Sequence, residues 1–105
     1  DILTIEPNPV VAVDSADLVV TDKWVSMHDN QLPKSDIDDL ASYRVTKKLL
    51  SFAKKDVLFM HCLPADKGQE VSQDIFEDKR CVTLQEAENR MHVQKSIIRC
   101  SLGLY

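Results

Sequence analysis

The sequence predicts an α/β fold, a doubly wound parallel sheet of the Rossmann-like type. Two short apolar runs, residues 18–21 and 56–60, have the nearly continuous hydrophobicity of strands that are covered on both faces. Segments with helical spacing precede or follow them, so strands and helices alternate along the chain. Polar residues stand directly after each apolar run, which is where open parallel sheets bind their ligands.

The composition allows one small domain. The chain has 105 residues, 44% of them hydrophobic, and its 13 basic and 17 acidic residues give a formal charge of -4. Because the charges are interspersed, nothing indicates nucleic acid or a membrane as a partner. No apolar run approaches the roughly 20 residues of a transmembrane helix. The sequence opens at Asp1 in an apolar stretch, and we expect it to be part of a longer protein.

The first half of the chain is expected to contain two strands and two helices. Residues 2–5 are predicted to form a short strand, and Pro9 suits the first position of the helix that follows. The second strand is 18–21. A long polar loop with one helical turn is predicted for 24–43, and the amphipathic segment 46–55 is predicted to form the next helix.

The second half is expected to continue the alternation. Residues 56–60 are predicted to form a buried strand, and 71–76 are predicted to form a short helix after a loop. A last strand is predicted at 81–84. The final helix is predicted to begin at about Glu86 and to end at Gly103.

The polar residues at the predicted strand ends are the first candidates for chemistry. Asp22 could pair with a substrate ammonium group, or it could cap a loop. His61 and Cys62 are of the types that serve as base and nucleophile or as metal ligands. Neighbouring strand residues point to opposite faces, however, which favours a buried histidine and a packed thiol over a working pair.

Arg90 is predicted to lie in the first turn of the final helix, where a cation opposes the helix dipole unless an anion lies nearby. A bound phosphate would remove this conflict, and Glu86 is the alternative partner. His28 and His92 have no ligand-spaced partner, which favours surface or loop roles. The three cysteines are an odd number without CxxC spacing, so neither a disulfide framework nor a zinc site is indicated.

Three segments together resemble the ornithine carbamoyltransferase family. The sequences FMHCLPA at 59–65 and EAENRMH at 86–92 resemble the family signature, and DKWVSM at 22–27 resembles its ornithine-binding loop. YRV at 43–45 resembles the family's helix entry. The resemblance covers essentially the whole chain. It implies that 1–105 is the C-terminal ornithine-binding domain of a two-domain enzyme, incomplete at its N-terminal side and without the carbamoyl phosphate-binding domain.

The resemblance implies transfer of a carbamoyl group from carbamoyl phosphate to the side-chain amine of L-ornithine, giving L-citrulline and phosphate, with no cofactor and no metal ion. It assigns ornithine binding to Asp22, Ser26 and Met27. It assigns carbamoyl phosphate binding to Cys62, Leu63 and Arg90. Cys62 is also the implied catalytic residue, a positioning group or proton acceptor for the attacking amine.

The family also suggests an assembly and a location. It implies a homotrimer in arginine metabolism, in the cytoplasm or the mitochondrial matrix. His28 stands where the family usually has glycine, which takes positive φ at little cost. The alternatives are a carbamoyltransferase for another amine, putrescine or acetylornithine, and a paralogue that binds ligands without turnover. We expect the chain alone to be inactive, because the family's other phosphate-binding segments are not in it.

Overall fold

Two parallel strands form the centre of the structure, a computed structural model that describes residues 2–25 and 33–104. The elements, in chain order, are helix α1 (Pro9–Val13), strand β1 (Leu18–Thr21), helix α2 (Lys34–Leu40), helix α3 (Lys47–Leu50), strand β2 (Leu58–His61) and helix α4 (Thr83–Ser101). Short 3-10 helices lie at Ala41–Tyr43 and Ile75–Glu77. The predicted α/β fold with parallel strands is confirmed.

Two of the short helices, α1 and α3, begin where the sequence supplies a side-chain cap. Asn8 Oδ1 accepts the N–H two residues on, at 3.0 Å, and Pro9 takes the first helical position of α1. Thr46 Oγ1 accepts the N–H of Leu49 at 3.0 Å and starts α3. This helix ends at Leu50, earlier than predicted. Its last carbonyl groups accept hydrogen bonds from the N–H groups three residues later, as in a 3-10 helix, and not four residues later.

The two strands place the residues that follow them, Asp22 after β1 and Cys62 after β2, side by side. We call the segments that begin at these residues the two candidate loops. β1 and β2 are parallel, with Leu18 opposite Leu58 and Thr21 opposite His61. Both strands therefore end at the same level, and the residues that follow them are neighbours. The predicted strand at 81–84 is wrong beyond its first residue, since Cys81 makes one isolated parallel bridge and α4 begins two residues later.

The core lies under one face of the sheet. The fully buried apolar side chains there are those of Leu50, Val57, Phe59, Val71 and Ile75. On the other face, Leu18, Val20 and Leu58 are exposed, so the prediction that both faces are covered is wrong for residues 2–25 and 33–104. Side chains alternate along a strand, and among the described residues the core contacts Val19 and Phe59 on one face only.

Two further predictions from the sequence are wrong. Residues 2–5 are exposed and are not a strand, because no described strand lies beside them. The predicted helix at 71–76 is reduced to the 3-10 helix Ile75–Glu77. The predicted loop at 24–43 contains α2, of 7 residues, in its described part.

None of the helices within the described ranges is long and apolar enough to cross a bilayer.

The last helix ends as predicted. Gly103 has φ of 68°, a conformation that glycine adopts without penalty. The N–H of Gly103 donates to the carbonyl of Cys100 at 3.0 Å, and the N–H of Leu104 donates to the carbonyl of Arg99 at 2.9 Å. The apolar residues Met91, Val93, Ile97 and Ile98 of α4 are exposed, and so is Leu102 directly after the helix.

Candidate functional site

Asp22 and Cys62 meet at the ends of β1 and β2. The thiol of Cys62 donates to Asp22 Oδ1 at 2.7 Å, and the backbone N–H of Lys23 donates to the same oxygen at 2.6 Å. Both side chains are exposed. The parallel register explains the contact, because each residue follows the last residue of its strand. Asp22 Oδ2 makes no hydrogen bond with any residue in the described ranges.

The contact sets the protonation of both groups. The hydrogen bond to Asp22, then burial and the negative charge of Asp22, raise the pKa of the Cys62 thiol. The same hydrogen bond and that from the Lys23 backbone lower the pKa of Asp22. At neutral pH Cys62 is therefore a thiol that donates a hydrogen bond. This state suits a positioning group better than a proton acceptor, since the thiolate is the basic and nucleophilic form.

A cavity of about 270 Å³ opens beside this contact. It is lined by His61, Cys62, Leu63, Glu86, Ala87 and Arg90. The loop after β2 supplies one wall, and the first turns of α4 supply the other. Two segments that are more than twenty residues apart in sequence are thus brought together at the carboxyl edge of the sheet, where parallel sheets bind ligands.

Arg90 reaches the cavity from a different position than predicted. α4 begins at Thr83, so Arg90 lies about two turns into the helix and not in its first turn. The predicted conflict with the helix dipole therefore does not arise. Arg90 makes no ion pair with Glu86 or with any other residue of the described segments. Glu86 Oε2 is buried and has no hydrogen-bond partner there.

His61 faces the protein interior and not the cavity's thiol. Its Nε2 lies 3.1 Å from Glu70 Oε1, and both side chains are almost completely buried. Its Nδ1 contacts the carbonyl oxygen of Cys62. Glu70 Oε1 also accepts the N–H of Asp66 at 2.6 Å. The predicted separation of His61 from Cys62 is confirmed, and the histidine supports the loop that carries the thiol.

Backbone pairing holds Glu70 in place under the site. Val45 and Val71 form a parallel bridge, in which the N–H of Val45 donates to the carbonyl of Glu70 at 2.9 Å. The guanidinium of Arg44 donates to the carbonyl of Gln69 and lies 5.9 Å from the ring centre of Trp24. The segment that precedes α3 therefore supports both candidate loops.

The sequence did not indicate three residues that the structure places at the site: Lys23, Asp66 and Glu70. Lys23 Nζ forms an ion pair with Asp66 Oδ2 at 2.9 Å, which joins the loops after β1 and β2. No spacing in the sequence connects these residues. The available signal was position alone: Lys23 lies within the selected segment 22–27, and Asp66 and Glu70 follow the selected segment 59–65.

Not every predicted site residue can be placed. The structure brings Asp22, Cys62, Leu63 and Arg90 to one edge of the sheet. The predicted ornithine ligands Ser26 and Met27, and also His28, lie outside the described residues. His92 is exposed, and its Nε2 lies 3.5 Å from Glu88, which confirms the predicted surface position.

A cavity at the carboxyl edge of a parallel sheet, lined by an arginine and by a thiol that contacts a carboxylate, is typical of a small-molecule-binding α/β domain. The chain belongs to the aspartate/ornithine carbamoyltransferase family. That family's Asp/Orn binding domain matches residues 1–100.

Individual relatives agree with the family. The chain is 48% identical over 101 residues to an ornithine carbamoyltransferase of Paracoccus denitrificans, which is 95% of this chain and 33% of the relative. The structure of ornithine carbamoyltransferase from Pyrococcus furiosus is similar with a TM-score of 0.79 at 39% identity, over 88% of this chain and 29% of that one. The anabolic enzyme from Campylobacter jejuni is similar with a TM-score of 0.78 at 38% identity, over 90% of this chain and 31% of that one. The chain spans about a third of the length of these proteins.

Proposed function

We propose that this chain forms the ornithine-binding part of an ornithine carbamoyltransferase active site. In the reaction, the side-chain amine of L-ornithine attacks the carbamoyl carbon of carbamoyl phosphate. A C–N bond forms, the C–O bond to phosphate breaks, and the amine loses a proton, giving L-citrulline and phosphate. The observation that carries the proposal is the 2.7 Å contact between Cys62 and Asp22 beside a cavity that also contains Arg90.

Asp22 is proposed to hold the amino acid. One carboxylate oxygen is engaged by Cys62 and by the Lys23 backbone, while Oδ2 makes no bond to a described residue. The lowered pKa keeps the carboxyl ionised, so Oδ2 can accept a hydrogen bond from an ammonium group. Ser26 and Met27, four and five positions after Asp22, are proposed to complete the amino-acid contacts.

Cys62, Leu63 and Arg90 are proposed to bind carbamoyl phosphate from one side. All three line the same cavity. Negative charge collects on the carbonyl oxygen and the departing phosphate during transfer, and fixed donors stabilise such charge. Arg90 supplies a permanent positive charge, and the protonated thiol of Cys62 supplies a neutral donor that positions the reacting groups next to Asp22.

The complete active site is proposed to need more than this chain. The relatives are about three times longer, and the family's second domain is proposed to supply most of the phosphate contacts. We further propose a homotrimer that works in the cytoplasm, in arginine metabolism, with residues 1–105 as its C-terminal ornithine-binding domain. The isolated chain should then form no citrulline above background.

The test is a citrulline assay on the full-length protein with carbamoyl phosphate and each of three amines: ornithine, acetylornithine and putrescine. Cys62→Ala is compared with Cys100→Ala, because Cys100 is an exposed thiol on α4, away from the cavity. Citrulline from ornithine, sharply reduced by Cys62→Ala and unchanged by Cys100→Ala, would support the enzyme, its substrate and its site together.

The other results would replace the proposal. Product from acetylornithine or putrescine alone would identify a carbamoyltransferase for another amine. No product from any amine, in a protein that still binds ornithine, would identify a paralogue without turnover. Equal activity of Cys62→Ala and wild type would leave the reaction in place and remove Cys62 from it.

A further inference from the structure

A second contact joins the two loops of the site. The ammonium of Lys23 lies 2.9 Å from Asp66 Oδ2. The Lys23 side chain is 18% exposed, compared with 42% for Lys47 in its ion pair with Asp74. Charges that are partly withdrawn from water interact more strongly than fully exposed ones, so the Lys23–Asp66 pair should restrict the loops more than an ordinary surface pair.

Lys23 connects this pair directly to Asp22. Its backbone N–H donates to Asp22 Oδ1 at 2.6 Å, the oxygen that also accepts the thiol of Cys62. The same residue therefore contacts Asp22 through its backbone and Asp66 through its side chain.

Asp66, in turn, is held by a hydrogen bond to a buried carboxylate. Its backbone N–H donates to Glu70 Oε1 at 2.6 Å, and Glu70 is buried against His61. A continuous chain of contacts thus runs from the buried Glu70 through Asp66 and Lys23 to Asp22.

We propose that Lys23 and Asp66 are a positioning pair that holds Asp22 Oδ1 on Cys62 and leaves Asp22 Oδ2 for the substrate ammonium. The identity of that ammonium as ornithine rests on the proposed function, whereas the orientation of Asp22 does not. Asp22 reaches the edge of the cavity through its contact with Cys62, whereas Lys23 Nζ and Asp66 Oδ2 are engaged with each other, so the pair acts through Asp22.

The reactivity of the Cys62 thiol reports the orientation of Asp22. The bond to Asp22 favours the protonated thiol, and only the thiolate reacts with iodoacetamide. We would measure alkylation of the full-length protein at pH 8 by mass spectrometry of tryptic peptides. Cleavage after Lys and Arg places Cys62 in 56–67, Cys81 in 81–90 and Cys100 in the peptide that follows Arg99.

Two neutralising variants separate positioning from simple charge effects. Among the described residues, the charged groups near the thiol are Asp22, Lys23 and Glu86, and Arg90 and His61 line the same cavity. If the pair acted by charge alone, Lys23→Gln would slow alkylation and Asp66→Asn would accelerate it. A positioning pair predicts that both variants accelerate it, by about threefold to tenfold, because each pKa unit changes the thiolate fraction up to tenfold.

A charge-reversed pair provides the rescue. Lys23→Asp combined with Asp66→Lys rebuilds an ion pair with the same net charge, and its alkylation rate should return to within about twofold of wild type. Lys47→Gln and Asp74→Asn, in an ion pair outside the site, are matched controls that should leave the rate unchanged. Circular dichroism of each variant verifies that it is folded.

Unchanged or slower alkylation in folded Lys23→Gln would overturn the positioning pair. So would a charge-reversed protein that behaves like the single variants. Citrulline formation is measured in parallel. If wild type makes citrulline while alkylation is insensitive to both variants, the pair is overturned and the function stands. If wild type makes none, the alkylation rates still decide the pair. In an active enzyme, both single variants should raise the KM for ornithine more than they lower kcat.

Discussion

His61 and Cys62 are adjacent in sequence at the end of β2, yet their side chains differ in burial and in hydrogen-bond partner. His61 is buried and contacts Glu70, whereas Cys62 is exposed and contacts Asp22 at the edge of a cavity. The alternation of side chains along a strand separates them. The comparison shows how two consecutive residues reach different environments: one is buried against Glu70, and the other is exposed and contacts Asp22.

The largest effect is expected from replacing Glu70, the buried partner of His61. Glu70→Ala removes the partner of the His61 ring and of the Asp66 N–H, and leaves buried polar groups unpaired. We expect a loss of about 3 kcal/mol in the free energy of unfolding of this region. Hydrogen exchange of the peptides around β2, in the full-length protein, measures it. Glu77→Ala, at an exposed glutamate nearby, is the control, and equal protection in both variants would contradict the supporting role.

At the cavity, removal of the Arg90 side chain should weaken carbamoyl phosphate binding and leave the free energy of unfolding nearly unchanged. A hydrogen bond to a charged group contributes about 1.5 to 3 kcal/mol, so Arg90→Ala should raise the KM for carbamoyl phosphate about tenfold to a hundredfold. Steady-state kinetics of the full-length protein tests this. Arg99→Ala, later on the same helix, should change nothing. A KM that stays constant in Arg90→Ala would remove Arg90 from the phosphate site.

The Cys62–Asp22 contact can be tested by pH. The folded protein raises the pKa of Cys62 above its ordinary 9.0, so the protonated, bonded thiol persists at neutral pH and is lost as the pH rises through the folded pKa. The pH midpoint of Cys62 alkylation should therefore lie above 9.0. Asp22→Asn should lower it and accelerate alkylation at pH 8 up to about tenfold. Asp17→Asn, in an ion pair with Lys54, is the control.

The smallest effect is expected at the other described histidine. His92 is exposed on α4, and its pairing with Glu88 at 3.5 Å is an i,i+4 contact worth about 0.3 to 0.5 kcal/mol at most. His92→Ala should leave both stability and citrulline formation within error of wild type, by thermal unfolding and by assay. A large loss would show that the contrast between buried and exposed positions does not explain the two histidines.

The sequence correctly predicted the elements whose formation depends on residues nearby in the chain. The Asn8-Pro9 start of α1, the strand 18–21, the Thr46 start of α3 and the Gly103 end of α4 are all where the sequence predicted them. Caps and β-branched runs act over a few residues, so their effect can be recognised without the fold.

Predictions that depended on a distant partner were less accurate. The strand at 2–5 and most of the strand at 81–84 did not form, because a strand needs a neighbour and a short apolar run does not specify one. Because residues 83 and 84 are not in a strand, α4 begins at Thr83 and not at Glu86. Arg90 therefore lies about two turns into the helix, where it lines the same cavity as Cys62.

The sequence by itself determined the fold class, the family and the candidates Asp22, Cys62, Leu63 and Arg90, because strand periodicity and the order of short motifs are properties of the linear chain. Only the tertiary structure decided that Glu70 supports His61 from inside and that Lys23 and Asp66 join the two loops. Parallel strands bring together residues that are 40 and more positions apart, and no local pattern records which side chains will then be in contact.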